Sequence, residues 1–393
     1  MTREELNNSM RLESYDLQKL AKELYDLNAE KINNALKTID YVMPQQVIAV
    51  GCGDSFCAAK AAQEAFKELV GIPMIGRPAV EISRCYDSKD FNNVLMFGIS
   101  SRGKTARVIE AAMRVHELGT ASRTVAVVNF LVEKSKLEEV CDTSIHVSLP
   151  EFKCGKYTEH APCQRSYFST MFTMMLIAVR MGEMRGNYSS KKAEEYRQAM
   201  LDYAASFTDE VLNSIEDQLW ELLPQWNQFR QFEIVGSGED APNTWFVAAK
   251  VVEAFGDIAT YDTPDNWLAV NSKTKEAEQT GTIVILNKDN KAFVHTVDVI
   301  RVMAEKKRPT IVITDVETDL FPEGVTVIRI PSAKYKWVKP LMQYCPVGLL
   351  FGYIKELRGV SFYRYGGECD DERGALRERL DGAIFDLPLR VIK

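Results

Sequence analysis

Long apolar runs are missing from this sequence. Nowhere do about 18 apolar residues follow one another, so no membrane-crossing helix is expected. Histidine is scarce, with four residues at 116, 146, 160 and 295, and a His-rich metal centre is not expected. Eight cysteines (52, 57, 85, 141, 154, 163, 345 and 369) are scattered without a CxxC pair, which speaks against structural zinc and against a disulfide scaffold. Positive charge is not in excess: 48 Lys and Arg stand against 55 Asp and Glu, a net charge of −7. No nucleic acid or anionic membrane is therefore expected as a partner, and a bound anion must be held by local groups. The opening MTREELNNSM has no basic-then-apolar leader pattern, so reduced thiols in a cytoplasmic protein are the expectation.

What is present fits two α/β domains. At 393 residues, with 46% hydrophobic and 26% charged residues, the chain can bury two cores. A helical segment near 15–40 precedes the short β-branched run QVIAVGC (46–52), which ends in Gly51-Cys52-Gly53-Asp54-Ser55 and enters a helix that Asp54 or Ser55 could cap. Strands NVLMFGIS (93–100), TVAVVNF (124–130) and SIHVSLP (144–150) follow, separated by helical patterns. The order then recurs about 185 residues later, with FEIVGSG (232–238), TIVILN (282–287), TIVITDV (310–316) and VTVIRIP (325–331). Strands alternating with helices, and nearly continuous in Val and Ile, predict two tandem doubly wound parallel-sheet domains. The expected boundaries are an N-terminal helical segment over 1–45, a first domain over 46–205 and a second over 206–393 with a C-terminal tail. Ligands of such sheets gather at the carboxyl ends of the strands, which directs attention to 51–55, 98–105, 236–240 and 286–290.

The loop Ser100-Ser101-Arg102-Gly103-Lys104-Thr105 lies between a strand and a helix. Its hydroxyls and the free N–H groups of the helix start suit a phosphate, Gly103 allows close backbone approach, and Arg102 and Lys104 add charged donors. The same residue types also make an ordinary helix cap. The matching loop of the second half, Asn287-Lys288-Asp289-Asn290, lacks the hydroxyl cluster, which predicts one specialised site per chain.

On these motifs the chain resembles the sugar isomerase (SIS) family over roughly 45–360. It is most similar to the two-domain members, which include the isomerase half of glucosamine-6-phosphate synthase and deglycases of fructosamine 6-phosphates. Gly51 to Ser55 resembles the family's Cys-Gly-Thr-Ser segment, and Ile99 to Ala106 its Ser-Gln-Ser-Gly-Glu-Thr loop. The resemblance implies flavodoxin-like SIS domains, no cofactor, a homodimer and a sugar phosphate as ligand. It implies substrate contacts at Gly53, Asp54, Ser55, Ser100, Ser101, Arg102, Gly103 and Thr105, with Arg102 replacing a family serine. Gln164, in Ala161-Pro162-Cys163-Gln164, falls nearest the family's sugar-hydroxyl contact.

In the second half, Lys250 and Glu253 are spaced to share a helix face, which alone reads as a solvated ion pair. The resemblance implies more: Ala248 to Glu253 matches the family's Ala-Leu-Lys-Leu-Lys-Glu segment, making Glu253 the proton-transfer base and Lys250 its support. Ala269 stands where the family carries its ring-opening histidine. Asp265 or His160 would then open the ring, or the substrate is already open-chain. The chain also lacks a glutaminase segment and an N-terminal Met-Cys, so glutamine-dependent amination is not expected of this polypeptide. The resulting expectation is a phosphosugar isomerase or deglycase, with a non-catalytic phosphosugar sensor as the alternative. A dinucleotide-binding oxidoreductase is disfavoured because Phe56 and Ala241 occupy the last glycine positions of the two Gly-x-G turns.

Overall fold

The computed structural model describes residues 2–129, 134–157, 159–364 and 389–392. Among them the chain divides into two compact units, each built on one parallel sheet. The first unit contains Leu20–Glu151 and Arg165–Leu201; the second contains the chain up to Lys19, Phe152–Gln164, and the chain from Asp202 onward as far as it is described.

The first unit's sheet comprises β1 (Gln46–Gly51), β2 (Met74–Pro78), β3 (Val94–Ile99), β4 (Arg123–Val128) and β5 (Thr143–His146), in the order β2-β1-β3-β4-β5. The second unit's sheet comprises β6 (Gln231–Val235), β7 (Ile258–Asp262), β8 (Thr280–Ile285), β9 (Thr310–Thr314) and β10 (Thr326–Arg329), in the order β10-β9-β8-β6-β7. Both orders are the same winding. The chain leaves the first strand of each sheet toward one edge, then returns to place its third strand on the other side. This puts a switch point between β1 and β3, and another between β6 and β8.

Burial explains the strands. β3 and β8 are buried along their whole length, as central strands of sheets covered on both faces must be. Ile48, Val50, Met96 and Val128 pack with Val108, Ile109 and Val115 of the helix Ala106–Leu118, each fully buried aliphatic chain contributing about 1.5–3 kcal/mol. Val235, Val284 and Val312 form the matching core with Val299, Ile300 and Met303 of the helix Phe293–Glu305.

Two strands were not visible as apolar runs. β2 carries Gly76, Arg77 and Pro78, and β7 alternates exposed and half-exposed positions; both lie at a sheet edge and have no need of a continuous hydrophobic run. The N-terminal helix is displaced from its expected 15–40, running Ser9–Ala35 with a short second turn at Thr38–Val42.

Candidate functional site

In the first unit the loops after β1 and β3 meet at the carboxyl edge of the switch point. Gly51 ends β1 where the next helix crosses it: a Cβ there would lie 2.6 Å from the backbone nitrogen of Phe56. Gly53, not Asp54 or Ser55, takes the cap position of the helix Asp54–Ala65. Asp54 and Ser55 open the first turn, half-exposed beside the exposed Gly53.

The loop after β3 is held from within. Ser100 is 5% exposed, its N–H donates to the Val127 carbonyl, and the Gly103 N–H closes a turn onto the Ser100 carbonyl. Gly103 has φ 59°, and a Cβ there would lie 2.1 Å from Ser135 Oγ, so neither the backbone nor the space admits a side chain. Thr105 begins the helix Ala106–Leu118 without capping it by its side chain; its hydroxyl instead faces Ser100 Oγ at 3.0 Å. The Val108 and Ile109 N–H groups donate to the Thr105 carbonyl, and no side-chain cap from Thr105 covers the N–H groups before them. Ser101 accepts the Asn129 N–H through its carbonyl, while Arg102 and Lys104 are exposed.

Ser135, beneath Gly103, forms a capping box with Glu138, which also pairs with His146. Burial raises the Glu138 carboxyl, but donors from Ser135 and His146 outweigh it and hold the group below its ordinary range.

Asn129 is a polar group that sequence reasoning missed. It follows β4 directly and is 7% exposed; its Nδ2 donates to Thr170 Oγ1, and its buried Oδ1 has no partner among the described residues. An asparagine directly after the apolar run Val125-Ala126-Val127-Val128 was the available signal.

In the second unit the corresponding loops are filled by side chains. Asp240 is fully buried and accepts from Asn287 Nδ2, from the Asn287 N–H at 3.2 Å and from Asn290 Nδ2 at 2.8 Å. Burial pushes the Asp240 carboxyl up to about 7, against the downward pull of the Asn290 and Asn287 donors. Lys339, 1% exposed at its side chain, lies 2.9 Å from both Asp289 and Asp315.

The helix Ala241–Phe255 of this unit carries Lys250 and Glu253. Lys250 is buried at 1%, Glu253 keeps 31% of its side chain exposed, and Nζ meets Oε2 at 2.5 Å. The ammonium also lies over the Phe246 ring, 4.5 Å from its centroid. Phe246 packs edge-on against Tyr344, whose hydroxyl donates to the Gln164 carbonyl. Gln164 therefore belongs to the neighbourhood of this helix, but its side chain turns elsewhere: Nε2 donates to the Met10 carbonyl at 2.8 Å, and Oε1 accepts from Ser14. The two residues considered for ring opening are apart from each other in partners. Asp265 is exposed and pairs with His295 at 3.1 Å, whereas His160 contacts Cys163 and Tyr363.

No known family profile matches the chain. Over 326 residues it is 23% identical to glutamine–fructose-6-phosphate aminotransferase (isomerizing) 2 of Homo sapiens, an alignment covering 81% of this chain and 44% of that protein. The Mus musculus counterpart is 22% identical over the same length. The chain thus spans less than half the length of these curated relatives. Among solved structures, the C-terminal domain of glucosamine-fructose-6-phosphate aminotransferase from Francisella tularensis superposes with a TM-score of 0.73 at 13% identity, covering 90% of this chain and 97% of that one. This chain has the double SIS fold. Tagatose-6-phosphate ketose/aldose isomerase from Escherichia coli shares it, with a TM-score of 0.64 at 13% identity over 93% and 94% of the two chains. Glucosamine-6-phosphate deaminase from Thermotoga maritima shares it as well, with a TM-score of 0.60 at 16% identity over 92% and 98%. The sequence is thus similar to part of these aminotransferases, and the fold is the one that these sugar-phosphate proteins share. Within the SIS fold, Gly53 to Ser55 and Ser100 to Thr105 lie at the carboxyl edge of the first sheet, and Lys250 with Glu253 on the helix that follows the first strand of the second.

Proposed function

We propose that this SIS-fold chain is a phosphosugar isomerase or deglycase acting on an amino-sugar phosphate or an amino-acid-conjugated sugar 6-phosphate. Gly53, Asp54 and Ser55 form one wall of the substrate site, and Ser100, Ser101, Arg102, Gly103 and Thr105 hold the phosphate through hydroxyls, helix N–H groups and the guanidinium. Gln164 serves a sugar hydroxyl once its amide is released from Met10 and Ser14. Glu253 takes the proton from the carbon beside the carbonyl, the C–H pair forms the C=C bond as the carbonyl π pair moves onto its oxygen, the hydroxyl proton passes to that oxygen, and the same carboxyl returns its proton to the former carbonyl carbon. Lys250 pairs with the Glu253 carboxylate before the transfer and offers its charge to the enediolate oxygen afterwards.

The observation that carries this reading is the Lys250–Glu253 pair: a buried cation whose partner carboxylate keeps an exposed edge. Solvent-proton exchange at substrate C1 and C2, followed by NMR in heavy water, tests it. Glu253→Gln keeps the shape and should lose about 100- to 10,000-fold in exchange rate with little change in affinity. Exchange at the wild-type rate would remove Glu253 from the mechanism, and absence of exchange with every fructosamine phosphate that binds would leave a phosphosugar sensor.

We further propose a homodimer. Edge strand β7 and its flanking helices leave Val252, Ile258, Tyr261, Leu268 and Val270 exposed, the kind of surface that a second copy covers. Sedimentation equilibrium at micromolar concentration should return twice the chain mass of 44.5 kDa; a single chain mass would refute the pairing.

A further inference from the structure

The segment before the helix Gln164–Met184 holds a cysteine that the proposed chemistry does not use. Cys163 is half-buried, its Sγ lies 3.7 Å from His160 Nε2 and 4.0 Å from the Tyr363 hydroxyl, and the His160 and Tyr363 rings pack with centroids 5.9 Å apart. A thiol within hydrogen-bonding reach of an imidazole can pass its proton to the ring, and the resulting imidazolium holds the thiolate.

The other charged groups on the surrounding segments pull in both directions. Glu159 is neutralised by Lys355 at 2.6 Å and accepts the Phe362 N–H. Glu13 accepts the Gln164 N–H at 2.8 Å, so the helix start next to Cys163 is already engaged. The other described thiols differ: Cys57 and Cys345 are buried, burial raises the Cys141 thiol to about 12 and raises the Cys52 thiol, Cys154 is half-buried, and Cys85 is exposed.

We propose that Cys163 and His160 form a thiolate–imidazolium pair that makes Cys163 the most oxidation-sensitive of the described thiols, with hydrogen peroxide as the electrophile. The thiolate sulfur attacks one peroxide oxygen, the S–O bond forms as the O–O bond breaks, and the departing hydroxide takes the proton held by His160. Sulfur is oxidised by two electrons to the sulfenic acid, the peroxide is reduced, and neutral imidazole and water remain. The Tyr363 hydroxyl, which donates to the Ala161 carbonyl at 3.3 Å, stands beside the sulfur. The turn Phe362–Arg364 that carries Tyr363 packs on the helix of Lys250 and Glu253, so the oxidised group forms beside an element of the candidate site.

The test is alkylation of the full chain by iodoacetamide between pH 5.5 and 9, read residue by residue by peptide mass spectrometry, with the exposed Cys85 as internal reference. Cys163 should react about tenfold faster than Cys85 at pH 6.5, with its half-maximal pH about one unit lower. His160→Gln should bring Cys163 to the Cys85 profile. Hydrogen peroxide followed by dimedone should label Cys163 ahead of Cys85. A Cys163 rate within about twofold of Cys85 at pH 6.5 would overturn the pair on the wild-type chain alone, whatever the variant does. An unchanged profile in a folded His160→Gln chain would overturn the role of the imidazole, and dimedone labelling of Cys85 first would overturn the assignment of the oxidation site.

Discussion

The loop after β3 and the loop after β8 occupy the same place in two sheets of identical winding, yet they are chemically opposite. After β3 stand two hydroxyls facing each other, a glycine that excludes any side chain, and two exposed cations. After β8 stand Asn287 and Asn290, spent on the buried Asp240, and Asp289, which shares the buried Lys339 with Asp315. Topology creates a crevice at both switch points. In the second unit, Asp240, Lys339 and the asparagines turn that crevice into internal structure; in the first, Ser100, Gly103 and Thr105 stand at that place, where the phosphate is proposed to bind. A shared strand order therefore says where a site can be, and the residue types at the strand ends say whether it is one.

The largest expected effect on this contrast comes from Lys339→Ala. Removing the lysine leaves Asp289 and Asp315 without their shared cation, and loss of one member of a buried ion pair costs about 3–5 kcal/mol. Thermal unfolding should show a large drop in Tm, while the folded fraction keeps its affinity for sugar phosphates in calorimetry. Equal loss of affinity in that fraction would mean the second crevice shares in binding.

Asp240 adds a pH dependence of definite sign. Its folded carboxyl is raised to about 7, so the stability it contributes is present in full below the unfolded pKa and is lost as pH rises through 7. The loss is on the order of 4 kcal/mol across that window. Asp240→Asn turns an amide toward donors from Asn287 and Asn290 and starts less stable, by about 1–3 kcal/mol. Urea unfolding at several pH values should nevertheless show a flatter pH profile for the variant. Parallel profiles for the two proteins would place the titration elsewhere.

The smallest effect is expected in the open loop, and it is confined to binding. Ser100→Ala should weaken sugar-phosphate affinity by about 1.5–3 kcal/mol, the worth of one hydrogen bond to a charged group. Tm should barely move. Because Ser100 and Thr105 share a hydrogen bond, the double variant with Thr105→Ala should depart from additivity by about 0.5 kcal/mol or more. Strict additivity with unchanged affinity in isothermal titration would place the phosphate outside this loop.

Reading the residues in order recovered the alternation of strands and helices because parallel strands buried along their length, as β3, β8 and β9 are, are rich in Val and Ile. It missed β2 and β7 because an edge strand is stabilised by pairing on one side and carries little hydrophobic pattern. The spacing of Lys250 and Glu253 already placed them on one helix face, and the structure adds that one is buried and the other half-open. For Gln164, local sequence carried no sign that its amide would be held by Met10 and Ser14, about 150 residues earlier in the chain.

The fold class, the positions of the strand-end loops and the hydroxyl-rich character of 100–105 follow from local periodicity and residue type, which depend on near neighbours in the chain. The closing of the second crevice around Asp240 and Lys339, and the meeting of Cys163, His160 and Tyr363, do not. Each joins residues far apart in sequence, and burial and hydrogen-bond geometry, which assign their chemistry, exist once packing has removed water from around them.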